Sequence, residues 1–393
     1  MRNTRIYIAF ITFQMMTFLL ILGAPICHAQ SSDSAASYFN RANERRAKGD
    51  IIGAIADYDT AIAFDPDWAL AYLMRGVARY DKGDFAEAIR DFDRAIELNP
   101  RYADAYNLRG SARRERGDRE GAIADYNRAL ALKANFAEAY CNRGSVRYEQ
   151  GDLEGALADF NRAIKRNPRL ARAYSNRGAV RRDRGDLEGA IADCDTAIGL
   201  DPRDAAAYNN RGNARQGKGD IAGAIADYDQ AIAIDPRNAE AYYNRGSARH
   251  LKGDMEGAVR DLDKAIEINS RLAMAYSARG FTRYDKGNLD AAIADYDKAL
   301  EINPRLARVY SNRGNAWLAK RDWERAIADY DRAIELDPRF ALSYANRGLA
   351  RLLQGKAAEA EQDFAQCLKL DGNLQSMLEE RLEQIKRRRA ANQ

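Results

Sequence analysis

The sequence predicts an all-α chain, a right-handed α-solenoid superhelix of helix–turn–helix units, on three observations. Seven of the eight prolines stand at one phase of a 34-residue period: Pro66, Pro100, Pro168, Pro202, Pro236, Pro304 and Pro338. With the proline at position 32, residues 35–374 divide into ten units in which position 1 is always Ala (Ala35 to Ala341), position 4 always Tyr (Tyr38 to Tyr344) and position 20 always Ala (Ala54 to Ala360). Within each unit the apolar residues recur at helical spacing. A fixed period of this length marks a stacked array, in which each unit covers a face its neighbour cannot bury alone.

Residues 1–29 stand apart from the array. Arg2 and Arg5 precede an apolar stretch from Ile6 to Gly23, followed by Pro25 and the small-x-small triplet Cys27-His28-Ala29. That order reads as a secretory signal peptide with cleavage after Ala29, which places the protein in the periplasm or outside the cell. An uncleaved anchor helix is disfavoured by Thr12, Gln14 and Thr17 within the stretch. Lipid attachment at Cys27 is disfavoured by the preceding Ala24-Pro25-Ile26, which is not a run of small residues. No other segment could span a bilayer, so no membrane insertion is expected after cleavage. Residues 30–34 form a short linker.

Removing residues 1–29 takes away two basic residues and no acidic one, leaving 60 Lys+Arg against 58 Asp+Glu. Nucleic-acid binding needs a strong basic field, and this balance provides none. Cys141, Cys194 and Cys367 remain, an odd number without paired spacing, so packing explains them better than a disulfide framework.

Each unit then reads as two helices. Helix A covers positions 1–14 and stops at a glycine in position 15 (Gly83, Gly117, Gly151, Gly185). An aspartate in position 16 (Asp84, Asp118, Asp152, Asp186) caps helix B, often with Glu close behind it (Glu120, Glu154, Glu188). Helix B carries an apolar stripe, in the fourth unit Leu153, Ala156, Leu157, Phe160, Ala163 and Ile164. Small residues at positions 8, 20 and 27 allow close helix approach, and an aromatic residue fills position 24 in eight units. Asp/Asn-Pro ends helix B and turns the chain. The tenth unit departs at Glu361 and Gly372, as a terminal unit would. Beyond it, residues 375–393 place Met377, Leu378, Leu382 and Ile385 at helical spacing, a capping helix with a basic tail. Arg387-Arg388-Arg389 is better explained by the helix C-terminus than as a docking site.

This column pattern closely resembles the tetratricopeptide repeat, over residues 35–374, in ten consecutive copies; with the leader it suggests a bacterial-type exported member. Two columns depart from the family. Position 7, usually apolar, is Arg in all ten repeats (Arg41 to Arg347), and position 11, usually Tyr, is Arg in nine, with Trp317 the exception. Like charges one helical turn apart need neutralising. Position 23 is Asp in all ten, Asp57 to Asp363, so arginines pairing with aspartates of their own or the preceding repeat are expected rather than a groove for an acidic polymer.

The resemblance implies a non-catalytic protein-interaction scaffold that binds an extended peptide or partner protein in a concave groove lined by the A helices. Position 6 is Asn in seven repeats, among them Asn142, Asn176, Asn210, Asn244, Asn312 and Asn346. In other arrays of the family a similar column bonds the backbone of a bound peptide. An amide suits that role because it both donates and accepts; its alternative is bonding within the array. Repeat 2 offers Leu70, Leu73, Met74, Val77 and Tyr80 as an apolar pocket, while repeats 4–7 offer a polar stretch including Tyr148, Tyr243 and His250. The basic clamp that some members use for terminal carboxylates is missing, since no repeat has Lys at position 5 or a basic residue at position 6. His250 is the sole histidine past the leader, and no nucleophile elbow, phosphate loop or Cys/His cluster is present. No catalysis, cofactor or metal is therefore expected. The alternative is a structural or self-associating spacer of a cell-envelope assembly.

Overall fold

Residues 34–391 are described by a computed structural model, and the leader with its expected cleavage site lies outside them. Every regular element among the described residues is helical. The described residues form two compact units, one within residues 34–189 with 199–201, the other within residues 190–198 with 202–391. The first holds repeats 1–4 and helix A of repeat 5 (Ala171–Asp183). The second holds repeats 6–10 and the C-terminal helix Gln375–Ala391; the boundary passes through helix B of repeat 5 (Leu187–Leu200).

Helix B spans positions 17–30 in every repeat, from Ile51–Phe64 to Ala357–Leu370. Helix A ends at position 13 in eight repeats, one residue short of the sequence-based expectation, and reaches position 14 only in Ala69–Lys82 and Ala239–Lys252. Nine repeats place the glycine of position 15 in the left-handed region, with φ from +78° at Gly287 to +95° at Gly83, and the last turn tightens ahead of it. The aspartate of position 16 then accepts from the backbone N–H of position 19, as Asp50 does from Gly53 at 2.9 Å and Asp118 from Gly121 at 2.9 Å. Asp84 does not fill its expected capping role; its carboxylate accepts from Lys82 Nζ instead, at 2.7 Å.

Within each of the two units, helix A packs on the helix B that follows it, and helix B packs on the next helix A. Position 8 is glycine because the column-24 ring lies against it: a Cβ on Gly76 would stand 2.6 Å from Cε1 of Phe92. The fully buried side chains are dominated by that column, with Tyr58, Phe92, Tyr126, Phe160, Tyr228, Tyr296 and Tyr330.

The arginine columns are structural. Arg109 donates through Nε and Nη2 to both carboxylate oxygens of Asp125, at 2.9 and 2.6 Å, and Arg113 Nη1 adds a third bond at 2.9 Å. The same fork recurs at Arg143–Asp159, Arg211–Asp227, Arg245–Asp261, Arg279–Asp295, Arg313–Asp329 and Arg347–Asp363. The remaining nitrogen, Nη1, crosses to position 25 of the preceding repeat, at Asp59, Asp93, Asn127, Asp195, Asp229, Asp263, Asp297 and Asp331. Each guanidinium also covers the Tyr of position 4 on its own helix, with Arg109 5.3 Å from the Tyr106 centroid. One arginine therefore joins its own two helices and ties them to the repeat before. Burial lowers the pKa of Arg109, but its bonds to Asp125 and Asp93 outweigh burial and raise it overall, so it stays charged.

Candidate functional site

Positions 2, 6, 9 and 13 of helix A share one helical stripe, because steps of four, three and four residues return to the same face. In the first unit this stripe is largely sealed. Asn142 is 5% exposed; its amide donates to Asn107 Oδ1 at 2.9 Å and its oxygen accepts from Arg172 Nη2 at 2.7 Å. Asn176 donates to Ser145 Oγ at 3.0 Å. In the second unit Asn244 donates to Asn209 Oδ1 at 3.0 Å. Asn346, also buried, donates to Asn315 Oδ1 at 3.0 Å and accepts from Arg381 Nη1 at 2.9 Å. Within each unit these A helices touch the one before, so an amide at position 6 reaches position 5 or 9 of the preceding repeat. The expected exposed amide column is thus corrected: these four amides link neighbouring repeats. Asn210 and Asn312 are half-buried, and Asn312 makes no side-chain hydrogen bond among the described residues.

The expected apolar pocket of repeat 2 is corrected as well. Leu73, 2% exposed, packs with Phe92, Ala105 and Leu108, and Tyr80 lies in the same cluster. Met74 packs with Ala54 and Tyr58. These three side chains are core, since the neighbouring helices already fill the space in front of them. Tyr148 donates its hydroxyl to Asp183 and accepts from Arg182 Nη2 at 3.3 Å. Burial, then the Asp183 carboxylate, pushes that phenol up to about 12. Tyr243 is half-buried against Leu262 and Ala275.

Sequence reasoning missed where the exposed apolar surface lies. Met274 (position 2 of repeat 8) is 46% exposed, Phe281 (position 9) 41% and Leu251 (position 13 of repeat 7) 61%, and Leu342 at position 2 of repeat 10 is exposed too. Two stripe charges flank them, Glu240 and Arg308, both exposed and without an ion pair among the described residues. His250, at position 12 of repeat 7, lies beside Phe281: Nδ1 is 3.1 Å from Thr282 Oγ1, Nε2 is 3.2 Å from Asp285 Oδ2, and the ring centroid is 5.0 Å from that of Phe281.

One pairing rule exposes the anomaly. Where position 24 is Tyr, position 9 of the same repeat satisfies its hydroxyl: Tyr58 bonds Asn43 at 2.5 Å, Tyr126 Ser111 at 3.2 Å, Tyr228 Asn213 at 2.7 Å and Tyr330 Asn315 at 2.7 Å. In repeat 8 position 9 is Phe281, and the fully buried Tyr296 hydroxyl has no partner. Leaving such a hydroxyl unbonded costs about 1–3 kcal/mol.

Among the described residues no group of three or more His, Cys, Asp or Glu side chains could hold a metal ion. No helix there is long and apolar enough to cross a membrane.

Family models described as TPR repeat match residues 42–82, 76–113, 110–151, 217–253 and 282–320. Models described as tetratricopeptide repeat match 141–205, 239–271, 307–340 and 329–362. The chain belongs to the tetratricopeptide-repeat family. No curated protein sequence matches it. Among solved structures, the Cut9–Hcn1 hetero-tetramer of the APC/C is 15% identical over 88% of this chain and 83% of that one, with a TM-score of 0.58. A tetratricopeptide repeat protein from Parabacteroides merdae is 20% identical over 63% of this chain and 98% of its own, with a TM-score of 0.51. The human IFIT1 dimer with m7Gppp-AAAA is 14% identical over 87% and 91%, with a TM-score of 0.57. At these identities the likeness is one of fold. As a tetratricopeptide-repeat protein the chain is in general terms a protein-interaction scaffold, on a fold that is typically non-catalytic.

Proposed function

We propose that this protein binds an extended peptide or partner protein along its A-helix face, the concave groove in tetratricopeptide-repeat arrays, and that residues 1–29 export it. One observation carries the binding reading. The framework columns are nearly fixed and mutually bonded, whereas the A-helix stripe varies and, in repeats 7–10, presents apolar side chains and unpaired charges to solvent. Exposed apolar surface flanked by charge is characteristic of a recognition site. The test is capture on the immobilised full chain, compared among wild type, the A-face variants Glu240→Ala, Asn312→Ala and Arg308→Ala, and the B-helix control Glu154→Ala. Loss confined to the A-face variants is expected, and equal capture by every variant and the wild type would refute the reading. N-terminal sequencing of the expressed protein tests export: a mature end at Gln30 is expected.

The second reading, a structural or self-associating spacer in an envelope assembly, is favoured by Ile52 and Phe64, which lie exposed on helix B of repeat 1. Light scattering separates the two. A stable oligomer that persists in the A-face variants but dissociates in Ile52→Glu would favour the spacer.

A further inference from the structure

We infer that Phe281 is the centre of an anchor site on the A-helix face of repeats 7–10, and that its occupant is an extended peptide reading basic, apolar, acidic, apolar at every third residue. This rests on the A-face binding reading and names its ligand chemistry.

Repeat 8 departs from the array in three places on one stripe. Position 2 is an exposed methionine, Met274; position 6, an amide in repeats 6, 7, 9 and 10, is Ala278; position 9 is Phe281. The third change removes the bond that the other four tyrosines of column 24 receive, leaving the Tyr296 hydroxyl buried and unpartnered. This aromatic side chain costs its own repeat a hydrogen bond that asparagine would supply, yet leaves 41% of its surface to solvent. Its ring is braced on one side by His250, itself held at both nitrogens by Thr282 and Asp285. With its ring braced and part of it in solvent, Phe281 has the character of an apolar anchor.

The distribution of exposed apolar surface agrees. Of seven exposed large hydrophobic side chains among the described residues, four lie on this stripe in repeats 7, 8 and 10 (Leu251, Met274, Phe281 and Leu342), and none lies on the stripe in repeats 1–5. Charge fixes the order of the occupant. Position 2 reads Glu240, Met274, Arg308, Leu342 through four successive repeats, and neither charge is neutralised internally. Packed helices lie about 8–10 Å apart, and an extended chain in the polyproline-II form advances about 3.1 Å per residue with about three residues per turn, so every third peptide residue faces the stripe and meets the next repeat. A cation therefore faces Glu240, an apolar side chain lies over Ala278 between Met274 and Phe281, which stand two turns apart on one helix, an anion faces Arg308, and a second apolar residue meets Leu342.

The test uses the full chain and a fluorescein-labelled, Gly/Ser-spaced peptide with Lys, Leu, Glu and Leu at every third position, together with its reversed sequence. Fluorescence anisotropy should show one of the two orientations binding. Phe281→Asn should weaken that binding by about thirtyfold, as loss of a central anchor does, while leaving the melting temperature unchanged or higher because Asn at position 9 gives Tyr296 its partner. Glu240→Lys should abolish binding of the same peptide and restore it when the peptide's Lys is replaced by Glu. The inference is overturned if neither orientation binds, if Phe281→Asn binds as well as wild type, or if that variant melts lower. A partner captured through Asn312 but indifferent to Phe281→Asn would overturn the anchor and leave the A-face reading standing. A partner indifferent to every A-face substitution would overturn both.

Discussion

Arg321 occupies position 15 of repeat 9, where the other nine repeats have glycine, and its φ of +63° makes it the non-glycine residue in the left-handed region among those described. A Cβ there crowds the following carbonyl, so Arg321→Gly should stabilise the protein by about 0.5–1 kcal/mol, read from urea unfolding. A second effect at this scale concerns Asp57. Its bidentate bonds from Arg41, with Arg45 adding its charge, hold the carboxyl below the ordinary aspartate range against the opposing effect of burial. A carboxylate depressed in the folded state contributes stability above its unfolded pKa and loses it as pH falls through the folded one. Repeat 1 should therefore fray as the pH drops below about 4, and Asp57→Asn should flatten that response. Amide exchange of helix A of repeat 1 (Ala35–Ala47) against pH measures both.

At the scale of the element, the arginine of position 7 makes two unequal contacts. Its bond inside the repeat, such as Arg211 to Asp227 at 2.6 Å, is almost dry on the acid side, with 3% of the Asp227 side chain exposed; its bond to Asp195 of the preceding repeat is half-exposed on that side. Asp227→Ala leaves Arg211 and Arg215 without their shared partner and should cost about 3 kcal/mol. Asp195→Ala removes a solvent-screened bond and should cost about 0.5 kcal/mol. Chemical denaturation of the two variants reads the contrast, and equal losses would contradict it. The aspartate column at position 23 was legible in the sequence because its charge matches the arginines and never varies. A bond to the preceding repeat was expected too, but its place at position 25 was not, since Asn127 and Asn161 interrupt the charge of that column. The amide column was misread for a similar reason. Regular spacing places Asn142 and Asn346 on the A-helix stripe, but only the approach of the next A helix shows that the stripe is closed there. The Phe281 anomaly was readable in principle: every repeat with Tyr at position 24 has Asn or Ser at position 9 except the eighth.

At the scale of the whole molecule, the helix contacts within each unit run between neighbouring repeats, so stability is a sum of local terms and the ends matter most. The C-terminal end is closed by Gln375–Ala391, which stands where helix A of an eleventh repeat would begin; Leu378 there is buried against Ala341, Ala345 and Cys367. The three cysteines among the described residues, Cys141, Cys194 and Cys367, report on this arrangement. All are buried and free, and burial raises each thiol, that of Cys194 to about 12 with Asp193 adding to the effect. Native protein should therefore be inert to iodoacetamide at mildly alkaline pH, because the thiolate is the reacting species. Leu378→Asp places a charge against the last repeat and should release the cap at a cost of about 2–3 kcal/mol. Cys367 should then alkylate first while Cys141 and Cys194 stay protected, since a one-dimensional array opens from its end. Mass spectrometry of the labelled peptides reads that order. Simultaneous labelling of all three would mean that the cap stabilises the array as one cooperative body, and the nearest-neighbour account of its stability would have to be abandoned.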